Sequence, residues 1–203
     1  HRSLQTVFDH SWNLLSDEER EVLTRLSVFR SGFGRSAAEA VAGAAPLHLS
    51  ALIHKSFLYK STTGRYDMLE VMRRFARDKL QKSARAWKET RDRHCAYYAA
   101  FLSERDAVLK GEHQQEALAQ IGAEIDNIRA AWRWAVDQRQ YAQIHEALDS
   151  LGRFYQMRSR VHEGEKAVGG ALDALAGQED DQTLLVARLR TRRGWFCLKL
   201  SNF

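Results

Sequence analysis

The sequence predicts a mainly α-helical fold with one small β-hairpin, and three observations predict it. A single proline, Pro46, and 12 glycines in 203 residues leave few breaks for helices. Apolar residues recur at spacings of three and four along nearly the whole chain. Only between residues 57 and 69 does the pattern shorten into two aromatic and apolar runs around a turn.

Leu4, Val7, Phe8, Trp12 and Leu15 form one stripe, predicting a first helix from about Leu4 to Leu15. Ser16 opens a second, with Glu19 three positions on. This is the capping box, in which each side chain satisfies the other residue's free backbone N–H. Val22, Leu23, Leu26 and Phe29 supply its buried face, and the turn Ser31-Gly32-Phe33-Gly34 is expected to stop it. A short alanine-rich helix follows, roughly Ser36 to Ala42, then a break at 43–46 and a helix over Leu47 to Lys55. Phe57 to Lys60 and Arg65 to Leu69 read as hairpin strands joined by Ser61-Thr62-Thr63-Gly64, with Gly64 at positive φ. Val71, Met72, Phe75, Ala76 and Leu80 restore the helical stripe. Four helices, a hairpin and a closing helix outline a winged-helix-like domain over residues 1–83, the helix before the hairpin standing at the recognition position.

From residue 84 to 203 every segment reads as helix: Trp87 to Val108, Gln114 to Gln138, Tyr141 to Arg158, Glu163 to Ala176 and Leu184 to Phe203. Polar breaks such as Gly177-Gln178-Glu179-Asp180-Asp181 separate them. Leu148, Leu151, Gly152 and Tyr155 reproduce the start of the tetratricopeptide pattern. Gly164 and Ala171 stand where its second helix needs small residues for close packing. A weaker echo, Gly194-Trp195-Phe196-Cys197, begins 42 positions after Gly152, longer than the standard repeat. The second domain is therefore expected to be a tetratricopeptide-like array cut short at its C-terminal end. His1 with no signal segment after it suggests an excised part of a longer protein.

Composition excludes several classes. A mean hydropathy of −0.49 and no run near the roughly 18 apolar residues a bilayer needs predict no membrane span and a cytoplasmic location. Cys95 and Cys197 lie far apart with no ligand-spaced partner, so they read as reduced, buried thiols rather than a metal site. No phosphate loop, HExxH helix or GxSxG elbow is present, and the eight histidines are scattered, each read as a surface or interface residue. Glu124 and Asp126 read as ordinary surface. No catalytic constellation or metal site is expected, and no cofactor in this chain.

The net charge of +5 and pI near 9.4 permit nucleic acid without demanding it, because 31 basic residues are interleaved with 26 acidic ones. At the recognition position, Leu47 to Lys55 offers one lysine, two histidines and a serine, poor equipment for base edges. Basic residues crowd the closing helix and its sequel instead: Arg73, Arg74, Arg77, Lys79, Lys82, Arg85, Lys88, Arg91 and Arg93. Arg73, Arg74, Arg77 and Lys79 are a candidate docking or phosphate-contact face, interrupted nearby by Asp78, Glu89 and Asp92. DNA binding by this segment stays open but is not favoured.

Four stretches carry a family resemblance: residues 12–19, beginning Trp12-Asn13-Leu14-Leu15, residues 26–33, residues 52–58 and residues 66–76. Together they resemble the region just after the nucleotide-binding domain in bacterial signal-transduction ATPases of the STAND class, relatives of the NB-ARC proteins. Glu124-Ile125-Asp126-Asn127-Ile128-Arg129-Ala130-Ala131-Trp132 is similar to the first helical repeat of those proteins. The resemblance implies a winged helix that folds back on the protein's own upstream nucleotide-binding domain and holds it closed around ADP. It also implies repeats that sense an inducer or partner protein, ADP-to-ATP exchange in the parent protein, and an output in transcription. Where the relatives carry Met-His-Asp, with the histidine on the ADP phosphate, this sequence has Met68-Leu69-Glu70. Leucine cannot bond a phosphate, so Met68, Leu69 and Glu70 read either as a nucleotide-sensor position or as structure, Met68 and Leu69 packing the wing on the core and Glu70 capping the next helix. A DNA-binding winged helix with an oligomerisation region and a passive protein-binding scaffold are the other two readings.

Overall fold

The computed structural model describes residues 11–176 and 183–201, which divide into two compact units, His1–Tyr97 and Tyr98–Phe203. Most of the first expected helix, with Leu4, Val7 and Phe8, and the break at 177–181 lie outside the described residues. Residues 11–13 are helical.

In the first unit α1 spans Asp17–Leu26, α2 Arg35–Ala42 and α3 Pro46–His54. Strands β1 (Tyr59–Lys60) and β2 (Tyr66–Asp67) follow, then α4 (Glu70–Leu80). The capping box forms: Glu19 N–H donates to Ser16 Oγ at 3.2 Å and Ser16 N–H to Glu19 Oε2 at 2.7 Å. The helix ends at Leu26, earlier than the periodicity predicts. Ser27 Oγ donates to the Thr24 carbonyl at 2.6 Å, and tight i→i−3 bonds carry the chain out of the helix. Phe29 is buried all the same, stacked on Phe33 at 4.4 Å. Its burial comes from the turn, not from a helical face.

β1 and β2 pair antiparallel, Tyr59 opposite Asp67 and Lys60 opposite Tyr66, and Phe33 bridges the other side of Tyr66. Gly64 has φ +81°, the positive value this turn demands. The strands are shorter than the aromatic runs because Phe57 and Leu58 turn inward to the core and Met68 does the same. The order helix, bridge, two helices, hairpin is that of a winged helix.

The helix α5, Ala84–Ser103, starts where the second domain was expected to start and gives its first turns to the first unit. There His94, fully buried, meets Phe29 edge-on at 5.3 Å. The expectation that the histidines lie at the surface therefore fails at His94. Burial, with Arg91 and Arg30 nearby, lowers its pKa to about 3, so it is neutral.

The second unit continues with a short 3₁₀ turn (Val108–Lys110), α6 (Gln114–Asp137), α7 (Tyr141–Met157), α8 (Val161–Ala174) and α9 (Thr183–Ser201). Val108 lies in the 3₁₀ turn rather than in the preceding long helix. Each helix packs on the next and on the next but one, as stacked helical repeats do. The α6–α7 and α7–α8 turns share one geometry. Gln140 N–H donates to the Ala135 carbonyl and Arg160 N–H to the Tyr155 carbonyl, both at 2.8 Å, across left-handed Arg139 and Ser159. Cys95 is buried as expected, but Cys197 is exposed on α9. Glu124 is no surface residue: it is buried, accepting from Tyr98 Oη at 2.8 Å and Asn127 Nδ2 at 3.0 Å. Among the described residues no single helix is long and apolar enough to cross a membrane.

Candidate functional site

The sequence singles out two places in the first unit, the wing end and the basic face of α4. Met68 is buried at 2% exposure, whereas Leu69 stands out at 61% as the N-cap of α4. Glu70 opens α4, where its carboxylate suits the helix dipole, and accepts from Arg73 Nε at 3.0 Å. Arg73 departs from the docking face assigned to it. It is 4% exposed and its guanidinium donates to Asp67 Oδ1 at 2.5 Å, the Phe29 carbonyl at 2.7 Å and the Met68 carbonyl at 3.3 Å. It ties the wing, α4 and the turn after α1 together, because an arginine so buried must satisfy its fork of donors within the protein. Lys79 lies over the rings of Trp12 and Phe75, Arg77 approaches Glu70 at 3.9 Å, and of these four only Arg74 is exposed. A continuous phosphate-contact face does not survive.

The recognition helix α3 is equally poor in base-reading groups. Its exposed residues are Pro46, Leu47, Ser50 and His54, and Lys55 behind it is held by Glu19 at 2.7 Å and by the Leu14 carbonyl at 3.1 Å. The Lys55 ammonium lowers the Glu19 pKa. Leu14, Tyr59, Leu69 and Val71 are further large apolar side chains that stand exposed among the described residues of this unit.

In the second unit the residues singled out for repeat packing are interior: Leu148, Leu151, Tyr155 and Ala171 are each at most 2% exposed. Gly152 and Gly164 are buried as well. A Cβ on Gly164 would meet Phe196 Cζ at 2.4 Å, and one on Gly152 would meet Arg192 Cδ at 2.8 Å. Glycine lets α9 sit directly on α7 and α8. Arg188 and Arg192 from α9 both reach Asp149. Burial opposes ionisation of Asp149, but the two guanidiniums outweigh it and lower its pKa.

Between α6, α7 and α8 lies a half-open groove of about 500 Å³. Trp132, Val136, Leu151, Ala167, Gly170 and Ala171 make its apolar surface. Arg129 closes one end, ion-paired with Glu163 and donating to Tyr155 Oη at 3.3 Å. Glu163 is also held by Arg160 at 2.6 Å, and Trp132 Nε1 donates to the Ala167 carbonyl at 3.0 Å. Sequence reasoning did not single out this groove. Its signal was the spacing of Arg129, Trp132 and Arg133, which share one side of α6 at three and four residues.

No protein-family model matches the chain. Over 173 residues it is 30% identical to a protein of Mycobacterium bovis and to two of Mycobacterium tuberculosis, each provisionally named an HTH-type transcriptional regulator. The match covers 80% of this chain and 19% of each relative, so the chain spans about a fifth of the length of those proteins. A solved structure from Pyrococcus horikoshii, a signal transduction ATPase with numerous domains and a tetratricopeptide repeat sensor, aligns with 97% of this chain and 34% of its own. The TM-score is 0.41 and the identity 16%, a likeness that carries no functional weight.

Proposed function

We propose that this chain is a regulatory segment of a longer transcription-control protein. Its winged helix clamps that protein's own nucleotide-binding domain in the resting state, and its repeat helices sense a ligand or partner. The chain itself performs no catalysis. The similarity to proteins named transcriptional regulators supports the regulatory part. The observation that carries the clamp over DNA reading is the surface of the first unit. Leu47, Ser50 and His54 face outward on α3, and Arg73 is withdrawn into the protein. Exposed Leu47, Tyr59, Leu69 and Val71 are the equipment of a protein-docking surface. The nucleotide-bound parent protein and its ADP-to-ATP exchange rest on the sequence resemblance alone, and its cytoplasmic location on composition. Physically the device is a two-state element whose equilibrium is biased by nucleotide and inducer as linked ligands.

The test uses the longer protein with the sequence that precedes His1. Denaturing it and quantifying the released nucleotide should give near-stoichiometric ADP. Deleting the winged helix should make that ADP exchangeable or remove it. No bound nucleotide in either form rules the clamp out. DNA binding is the second reading, favoured by the hairpin wing and the names of the relatives. It requires an affinity for duplex DNA in the micromolar range or tighter that falls steeply with salt.

A further inference from the structure

We infer that the groove between α6, α7 and α8 is a binding site for a small amphipathic anion, an apolar group carrying a carboxylate or similar head. This rests on the sensor reading for its biological role, and on the following geometry for its chemistry. Arg129 pairs with Glu163 and Trp132 bonds Ala167, so α6 and α8 run side by side in the same direction. Arg133 on α6 and Lys166 on α8 both line the groove, from its two facing walls. Both cations are exposed groove-lining residues, and neither has an ion-pair partner among the described residues. Of the groove's two carboxylates, Glu163 is taken by Arg129 and Arg160, and Asp137 stands at the far end one turn beyond Arg133, so cations still outnumber anions in the lining. Two unpaired cations therefore flank an apolar floor, which complements an anionic head on an apolar body.

The floor is kept open by glycine. At Gly170 a Cβ would find no atom within 4 Å, and the residue is exposed in the middle of a helix. A glycine there costs helix stability and removes the side chain that would fill the groove. The volume of about 500 Å³ matches a small molecule, within the roughly 300–1,000 Å³ range of ligand pockets, rather than the long trough an extended peptide needs. The indole of Trp132 is fixed by its bond to Ala167 and the Arg129 guanidinium by Tyr155 and Glu163, so the walls are formed before a ligand arrives.

Titration of the 203-residue chain with anilinonaphthalene sulfonate, an apolar fluorophore bearing an anion, tests this directly. One site per chain is expected, displaced by phenylbutyrate and not by phenylbutanol. Charge reversal at both cations, Arg133→Glu with Lys166→Glu, should weaken the dye at least about tenfold. Gly170→Leu should abolish the site by filling it. Each residue is exposed, and unchanged circular dichroism of the variants will show that the fold persists. Unaltered dye binding in both variants overturns the inference, as does equal displacement by the alcohol. An acidic peptide that displaces the dye at lower concentration than phenylbutyrate also overturns it, in favour of a peptide partner. Dye binding with the expected selectivity, but no effect of any groove ligand on nucleotide release in the longer protein, leaves the site standing and removes the sensor role.

Discussion

The ring of Phe196 lies against the backbone of Gly164, so close that a Cβ on the glycine would meet Cζ at 2.4 Å. Phe196 is fully buried, so its ring cannot swing out to solvent without losing that burial. This contact seats α9 on α8. Gly164→Ala is expected to destabilise the chain by about 1–3 kcal/mol, the cost of overpacking, although alanine is the better helix former. Gly170→Ala, on the same helix but facing open space, should stabilise it by about 0.5–1 kcal/mol. Urea denaturation of the two variants compares them; equal and favourable shifts would show that the ring yields.

Arg73 is the second structural pin. Arg73→Met removes the guanidinium's own bonds to Asp67, Glu70 and the Phe29 and Met68 carbonyls while keeping much of the volume; Asp67 Oδ1 keeps the Met68 N–H at 2.8 Å. A loss of about 3 kcal/mol is expected, since half-buried Asp67 and the Phe29 and Met68 carbonyls lose a buried cation, whereas exposed Glu70 returns to water. Arg74→Met, one residue along and exposed, should stay within about 0.5 kcal/mol of the parent. If the two variants melt together, the buried network adds nothing.

The α7–α8 turn holds Ser159 at φ +54°, a conformation that strains any residue with a Cβ. Ser159→Gly relieves that strain at the price of greater freedom in the unfolded chain. A net gain of about 0.5–1 kcal/mol is expected, seen as a raised melting temperature. The same change at Arg139, φ +53°, should behave alike because the turn geometry is the same.

His94 makes folding sensitive to mild acid. Its pKa is lowered from 6.5 to about 3 by burial and by Arg91 and Arg30, so below pH 6.5 the unfolded chain takes up a proton that the folded chain refuses. Stability contributed by the neutral imidazole is complete above pH 6.5 and is lost as pH falls toward 3. Carboxylates such as Glu19, whose pKa lies below the ordinary 4.5, add their own loss only at lower pH. Between pH 6.5 and 4.5 the midpoint of urea unfolding should therefore fall for the parent and stay flat for His94→Leu. Parallel slopes would assign the acid sensitivity elsewhere.

The candidate site was half legible. The stretch from Glu124 to Trp132 was recognisable as a unit. Its residues divide by face: Glu124, Asn127 and Ile128 turn inward, while Arg129 lines the groove with Trp132. What stayed hidden was the partner wall. Lys166 and Gly170 look like any lysine and glycine of a surface helix until α7 folds α8 alongside α6.

By itself the sequence determined the chain's punctuation. Ser16 with Glu19 opened α1, Gly64 turned the wing, and the stripes of three and four placed the helices, because these are contests among groups a few positions apart. Tertiary structure alone decided which charges go inside. Arg73, Glu124 and His94 are residue types that suit a solvated face, yet all three are buried. Whether a charge or an imidazole can leave water depends on partners brought from afar. For Arg73 the decisive one is the Phe29 carbonyl, 44 residues away, and no local pattern records that approach.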